Sequence, residues 1–182
     1  GGAGGSPQRG PGRDRGRLHR TPLRDGLPSI HDQSGYWLPF FEACDETGTV
    51  ICIHIGSSSQ FQTTSHDAPG AVVAALTSMN SQMALIDWLF SGLLPRFPNL
   101  KLAFSESQIG WMPFVLERVD RIWEQNNAVM RARECTPNPP SSYFRDRVFG
   151  CFFEDDFGLE NRGVIVINQV TFESDYPHQD ST

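Results

Sequence analysis

Val50-Ile51-Cys52-Ile53-His54-Ile55-Gly56-Ser57-Ser58-Ser59 decides how the rest of this chain is read. The run is apolar, rich in β-branched residues, and bounded by Gly48 and Gly56, as expected of a short buried β-strand. Period-two alternation places Val50, Cys52 and His54 on one face and Ile51, Ile53 and Ile55 on the other. The strand stops at a histidine and a loop of small polar residues. In α/β folds the C-terminal ends of parallel strands carry the chemistry. Alone, a histidine here is more often a hydrogen-bonded core residue than a ligand or an acid–base group. The rest of the chain shifts that balance.

Working outward, the same grammar recurs. Tyr36 to Glu46 reads as a short helix stopped by Gly48. After the anchor strand, a helical region runs from about Gly70 to Leu94, with a break expected near Ser78 to Ser81. Its apolar positions are Met83, Ile86, Leu89, Phe90, Leu93 and Leu94, and Pro95 and Pro98 are its stops. Leu100 to Glu106 is a second strand. A helix is expected from about Trp111 to Arg133, with Phe114, Leu116, Val119, Ile122 and Trp123 as its apolar set. Val148 to Phe153 is a third strand, Asp156 to Arg162 a short helix, and Gln169 to Glu173 a fourth strand. Strands alternating with helices imply parallel pairing and right-handed crossovers.

Each strand ends in ionisable residues: His54, Glu106, Glu154 to Asp156, and Asp175. A parallel sheet puts these ends on one rim. One histidine with several carboxylates suits a hard or borderline divalent cation. Asp155 and Asp156 are more simply read as carboxylates at a helix N-terminus.

Composition sets the bounds. The chain has 182 residues and a formal net charge of −6, enough for one domain with a core and no global case for nucleic acid or a membrane surface. No apolar run approaches the roughly 18 to 20 residues that span a bilayer. The four cysteines lack CxxC spacing, which fits a reducing, cytoplasmic setting; Cys52 and Cys151 fall inside apolar strands, where a thiol packs as a small hydrophobe. Residues 1–26 differ in texture, with Gly, Pro and six arginines (Arg9, Arg13, Arg15, Arg17, Arg20 and Arg24) and few apolar side chains. They read as a disordered tail. A basic arm for RNA is the weaker reading, since no aromatics are interleaved for base stacking.

From Leu27 to Thr182 the chain resembles the amidohydrolase-related metal-dependent hydrolases, in the branch that includes aminocarboxymuconate-semialdehyde decarboxylase. The matching text is Leu27-Pro28-Ser29-Ile30-His31, Cys52 to Ser59, and Phe97-Pro98-Asn99-Leu100-Lys101-Leu102-Ala103-Phe104-Ser105-Glu106. It continues with Ile109-Gly110-Trp111, Leu116-Glu117-Arg118, Tyr143-Phe144, Gly150-Cys151-Phe152-Phe153 and Glu173-Ser174-Asp175-Tyr176-Pro177-His178.

The resemblance implies the C-terminal half of a TIM (β/α)₈ barrel, about strands five to eight, in residues 27–182. It implies a divalent metal, zinc by default and manganese next, with His54 as the fifth-strand ligand and Asp175 as the eighth-strand ligand. Asp175 would also take a proton from metal-bound water. Glu106 stands where the family often has a sixth-strand histidine, so it is a candidate ligand or acid–base group. His178, in a Pro-containing turn, is a candidate substrate contact; His31 and His66 in loops, and His19 in the tail, default to solvent.

The implied reaction is hydrolysis of a C–N, C–O or C–C bond, or decarboxylation, of a small-molecule substrate. The family's His-x-His pair occurs nowhere in the chain. That implies a piece of a longer barrel or an aberrant N-terminal reading, and keeps open an inactive, non-catalytic interaction protein of the same fold. A half barrel exposes sheet edges, which homo-oligomer formation is one way to cover. Simple alternation also sets Glu173 and Asp175 on one face, so either a bulge intervenes or Glu173 points inward too.

Overall fold

The computed structural model describes residues 27–58, 60–125, 131–165 and 167–178, with Gly1 and Val129. Apart from Gly1, the arginine-rich segment with His19 lies outside the described residues, as do residues 126–128 of the expected long helix and Ser59 of the anchor motif. Helix α1 spans Leu38–Thr47. Pro39 sits in its first turn, where a missing N–H costs nothing, and Gly48 closes it at φ +70°. Strand β1 is Val50–His54.

The long helical region is three pieces: α2, Gly70–Ala75; α3, Met79–Phe90; and α4, Leu93–Arg96. The first break falls at residues 76–78, where the Thr77 hydroxyl turns back to donate to the Val73 and Ala74 carbonyls. The second break is at Gly92, which adopts φ +78°. Pro95 lies inside the single turn of α4 and does not stop it, because a first-turn residue needs no helical donor. The buried stripe of α3 is Leu85, Trp88 and Leu89, whereas Met83 and Ile86 are exposed, so the face is rotated from the expected one.

Strand β2 is Lys101–Ser105 and helix α5 is Met112–Gln125. The buried positions of α5 are Met112, Val115 and Val119, at helical spacing. Phe114, expected in the core, points to solvent on the other side. A short helix α6 (Ala132–Cys135) and a 3₁₀ turn (Pro140–Tyr143) lead to strand β3, Val148–Phe152. Helix α7 is Asp156–Glu160, and strand β4 is Val170–Phe172.

The strands form one parallel sheet in the order β1-β2-β3-β4, with Ile53 level with Phe104, Phe104 with Gly150, and Gly150 with Val170. Consecutive order without reversal means that right-handed crossovers place every connecting helix on the same face. The core bears this out: Leu102, Phe104 and Val148 from the strands pack with Phe41, Leu85, Leu89, Leu94, Met112 and Val115 from the helices. Such fully buried side chains contribute about 1.5–3 kcal/mol each.

The opposite face carries Val50, Cys52 and His54, all exposed. One face helix-covered, the other turned inward, and no switch point: this is a four-strand arc of a (β/α)₈ barrel. It also corrects the expectation for Cys52, whose thiol lies on the inward face and is exposed, while Cys151 is buried. Both are free thiols, as are Cys44 and Cys135. Among the described residues, no helix is long and apolar enough to cross a membrane.

Candidate active site

The register sets His54 level with Ser105, so Glu106 lies one residue beyond its strand neighbour. The small residues after β1 wrap the histidine. The Gly56 N–H donates to His54 Nδ1 at 3.0 Å, the Ser57 N–H donates to the His54 carbonyl at 2.9 Å, and the His54 N–H donates to the Ser57 hydroxyl at 3.1 Å. A Cβ on Gly56 would sit 3.3 Å from His54 Nδ1, which explains the smallest residue there. Asn80, buried on α3, braces the same loop: its amide nitrogen donates to the carbonyls of Ile55 (3.1 Å) and Gln60 (3.0 Å), and its oxygen accepts from Gln62.

Because Nδ1 accepts the Gly56 N–H, the neutral imidazole carries its proton on Nε2. His54 Nε2 lies 2.6 Å from Glu106 Oε1 and donates to it. The Glu106 side chain is 17% exposed and that of His54 55%, so the pair presents an open imidazole backed by a sheltered carboxylate.

Glu106 takes a left-handed backbone, φ +55°, as does Gln108 at φ +57°. Its N–H donates to the Glu173 carboxylate. The far end of the loop is held by Asp155, whose Oδ2 accepts the N–H groups of Ile109 and Gly110, each at 2.7 Å. Oδ1 of Asp155 accepts the Gly158 N–H at 2.8 Å, capping α7. Asp155 is thus the helix-capping carboxylate that the sequence favours over a cation site. Ser107, fully buried, donates to the Phe104 carbonyl, and Trp111 Nε1 donates to the Ser107 carbonyl at 2.7 Å.

Strand β4 stops at Phe172, one residue short of expectation, and the Glu173 N–H still pairs with the Phe152 carbonyl at 3.1 Å. Glu173 points inward, and the chain then turns through Asp175 at φ +44°. That settles the alternation of the two carboxylates: Asp175 has left the strand. Asp175 Oδ2 lies 3.4 Å from His178 Nδ1. Beside Glu173 sits Cys151, whose thiol burial pushes up to about 11.

His54, Glu106, Gln108, Asp175 and His178 line one cavity of about 520 Å³, with Phe61 on its wall. The residues singled out in the sequence are therefore brought together. Asn80 carries no signal in the sequence, and Glu173 and Asp155 are marked there without these partners; all three act on backbone groups distant in sequence. His66 lies 97% exposed in its loop, and His31 pairs with Asp87 at 3.3 Å, away from the cavity. A second concavity of about 590 Å³ lies on the helical layer, between α5 and α7. Asp120 in it already accepts from the Ser141 N–H and hydroxyl, and the Gln169 amide nitrogen donates to the Phe144 and Val148 carbonyls.

Imidazole nitrogen and carboxylate oxygen are the right donor types for zinc or manganese. In number they fall short of a complete site. His54 Nε2 is engaged by Glu106, Asp175 by His178, and among the described residues no three His, Cys, Asp or Glu side chains gather as a metal-holding group.

The Amidohydrolase family profile matches residues 8–182. No curated protein matches the chain. Among solved structures, it is similar to an amidohydrolase from Mycobacterium avium subsp. paratuberculosis K-10, with a TM-score of 0.63 and 20% identity, over 85% of this chain and 39% of that one. It is also similar to 5-carboxyvanillate decarboxylase from Sphingomonas paucimobilis, with a TM-score of 0.57 and 24% identity, over 82% of this chain and 45% of that one. The chain thus spans less than half the length of either. At these identities the likeness establishes the fold, while the profile match extends over nearly the whole sequence. The chain belongs to the amidohydrolase family.

Proposed function

We propose that this chain carries the acid–base side of an amidohydrolase-type site acting on a small organic acid or amide, by hydrolysis or decarboxylation. The observation that carries the reading is the meeting of His54, Glu106, Asp175 and His178 around one cavity at the strand ends. We assign His54 and Asp175 as this chain's donors to a divalent metal, zinc or manganese, with donors beyond the described residues completing the set. When bound, that ion supplies Lewis-acid polarisation and a more acidic water.

The chain's own groups do the rest. Glu106 is the proton acceptor: without metal its sheltered carboxylate takes the His54 Nε2–H, and with Nε2 given up to the ion the same carboxylate would be free to accept a proton in the cavity. Asp175 takes a proton at its carboxylate on the other side of the cavity, oriented by the His178 contact. His178 contacts the substrate. Phe61 and Phe153 supply apolar wall, suiting a substrate with a hydrophobic body. A cytoplasmic enzyme fits the free thiols.

The test is bound metal per chain and turnover of a panel of small carboxylates and amides. It compares the wild type with His54→Ala, Asp175→Asn and Glu106→Gln. Near-stoichiometric zinc or manganese lost in the first two variants, with turnover lost in all three, is expected. Folded protein with metal and turnover no higher than in the variants would refute the reading. It would favour the other one, a non-catalytic interaction protein of the same fold.

A further inference from the structure

We propose that Glu173 is a positioning residue for the His54–Glu106 pair. Its carboxylate accepts the Glu106 N–H and so holds the Glu106 backbone in the conformation that aims its side chain at His54. The inference rests on the reading of Glu106 as the site's proton acceptor.

Glu106 sits at φ +55°, a region that non-glycine residues adopt only when their surroundings impose it. There the chain has left the extended path of β2, and the Glu106 N–H meets a side chain and not the sheet ladder. A half-buried N–H without a partner is unfavourable. Glu173 supplies the partner from the far strand, 67 residues away in sequence. Glu173 is itself fixed, because its own N–H continues the β3–β4 ladder onto the Phe152 carbonyl at 3.1 Å. The other end of the loop is clamped independently by Asp155 on Ile109 and Gly110.

With Asp155 holding one end, the conformation of Glu106 depends on what holds its own N–H: the Glu173 carboxylate, with the Cys151 thiol, a weaker acceptor, in contact with both. Without Glu173, φ at Glu106 relaxes toward negative values and the carboxylate swings off His54 Nε2. His54 then loses the acceptor that keeps its proton on Nε2. Glu173 touches neither the imidazole nor the rim of the cavity in this scheme; it acts through Glu106.

The experiment reads geometry without substrate, on the whole 182-residue chain at mildly alkaline pH. Amide hydrogen exchange reports the Glu106 N–H, and ¹⁵N spectra of the imidazole report the His54 tautomer. In the wild type, the Glu106 amide should be protected and His54 should show one tautomer protonated on Nε2. Glu173→Ala should speed exchange at Glu106 about tenfold or more and give a mixed tautomer signal. Glu173→Gln keeps an acceptor oxygen and should retain both properties.

A folded Glu173→Ala that changes stability while leaving both signals untouched would overturn the proposal. So would Glu173→Gln behaving like Glu173→Ala. If Glu173→Ala does not fold, the wild type and Glu173→Gln still decide: an unprotected Glu106 amide in the wild type overturns the proposal by itself. Because turnover is not measured, failure here is distinct from failure of the functional reading, which the Glu106→Gln activity assay reports.

Discussion

Replacing Asp155 with Ala removes one carboxylate that three backbone N–H groups share: Ile109 and Gly110 at 2.7 Å and Gly158 at 2.8 Å. The Gly158 bond is an N-cap, and its loss costs about 1 kcal/mol. The other two are charge-assisted bonds to the turn after β2. Ile109 is fully buried, so water replaces the carboxylate poorly there, and each bond is worth about 1.5 kcal/mol net. The sum is about 4 kcal/mol, or a fall in Tm of about 8–16 °C for a chain of this size.

Urea unfolding followed by circular dichroism measures the loss. Asp155→Asn keeps one acceptor oxygen and should lose about half as much. Asp156→Ala is the internal control: the next residue is also acidic and in the first turn of α7, but among the described residues its side chain holds no backbone N–H. Its substitution should cost under about 0.5 kcal/mol. Equal losses for Asp155→Ala and Asp156→Ala would show that only helix-end charge matters and would refute the clamp.

Two other perturbations follow from particular contacts. Arg147, half-buried, donates to the carbonyls of Leu94, Phe97 and Leu100, tying the approach to β2 against the start of β3. Arg147→Leu should cost about 2–3 kcal/mol in urea unfolding, and Arg147→Lys should recover less than half, because a point ammonium cannot span three acceptors. Cys151 is an acid whose folded pKa, about 11, lies above that of a free thiol, because burial disfavours the thiolate. The unfolded chain therefore releases this proton first, and stability falls as pH rises from about 9 to about 11, with no effect below that window. Cys151→Ala should flatten that alkaline limb. At mildly alkaline pH, iodoacetamide should label the exposed Cys52 and Cys135 and spare Cys151.

The strands and their shared rim were legible because period and punctuation are local properties. Val50, Cys52 and His54 do share a face, and His54, Glu106, Asp175 and His178 do line one cavity. What the sequence concealed depended on tertiary partners. Met83 and Ile86 fit a helical stripe as well as Leu85 and Leu89 do, and only the position of the sheet selects between them. Cys52 looks like a core residue until the consecutive strand order leaves its face without a helix. Glu173 and Asp155 grip main-chain N–H groups, which have no side-chain signature, across 67 and 46 residues. The missed break at Gly92 had a signal, a glycine within a helical run, which the apolar periodicity around it outweighed.

The consecutive strand order also sets the chain-entropy cost of each strand pairing. Each strand pairs only with its sequence neighbour, so no pairing waits for a distant one. The separations are unequal: Val50 to Lys101 is 51 residues, Leu102 to Val148 is 46, and Gly150 to Val170 is 20. Closing the shortest loop costs less chain entropy than closing the longest by about 0.8 kcal/mol. The β3–β4 pairing therefore carries the smallest closure cost, and it is the unit that bears both Asp155 and Glu173. The carboxylates that shape the β2 loop thus belong to the part of the sheet that is least costly in chain entropy to close.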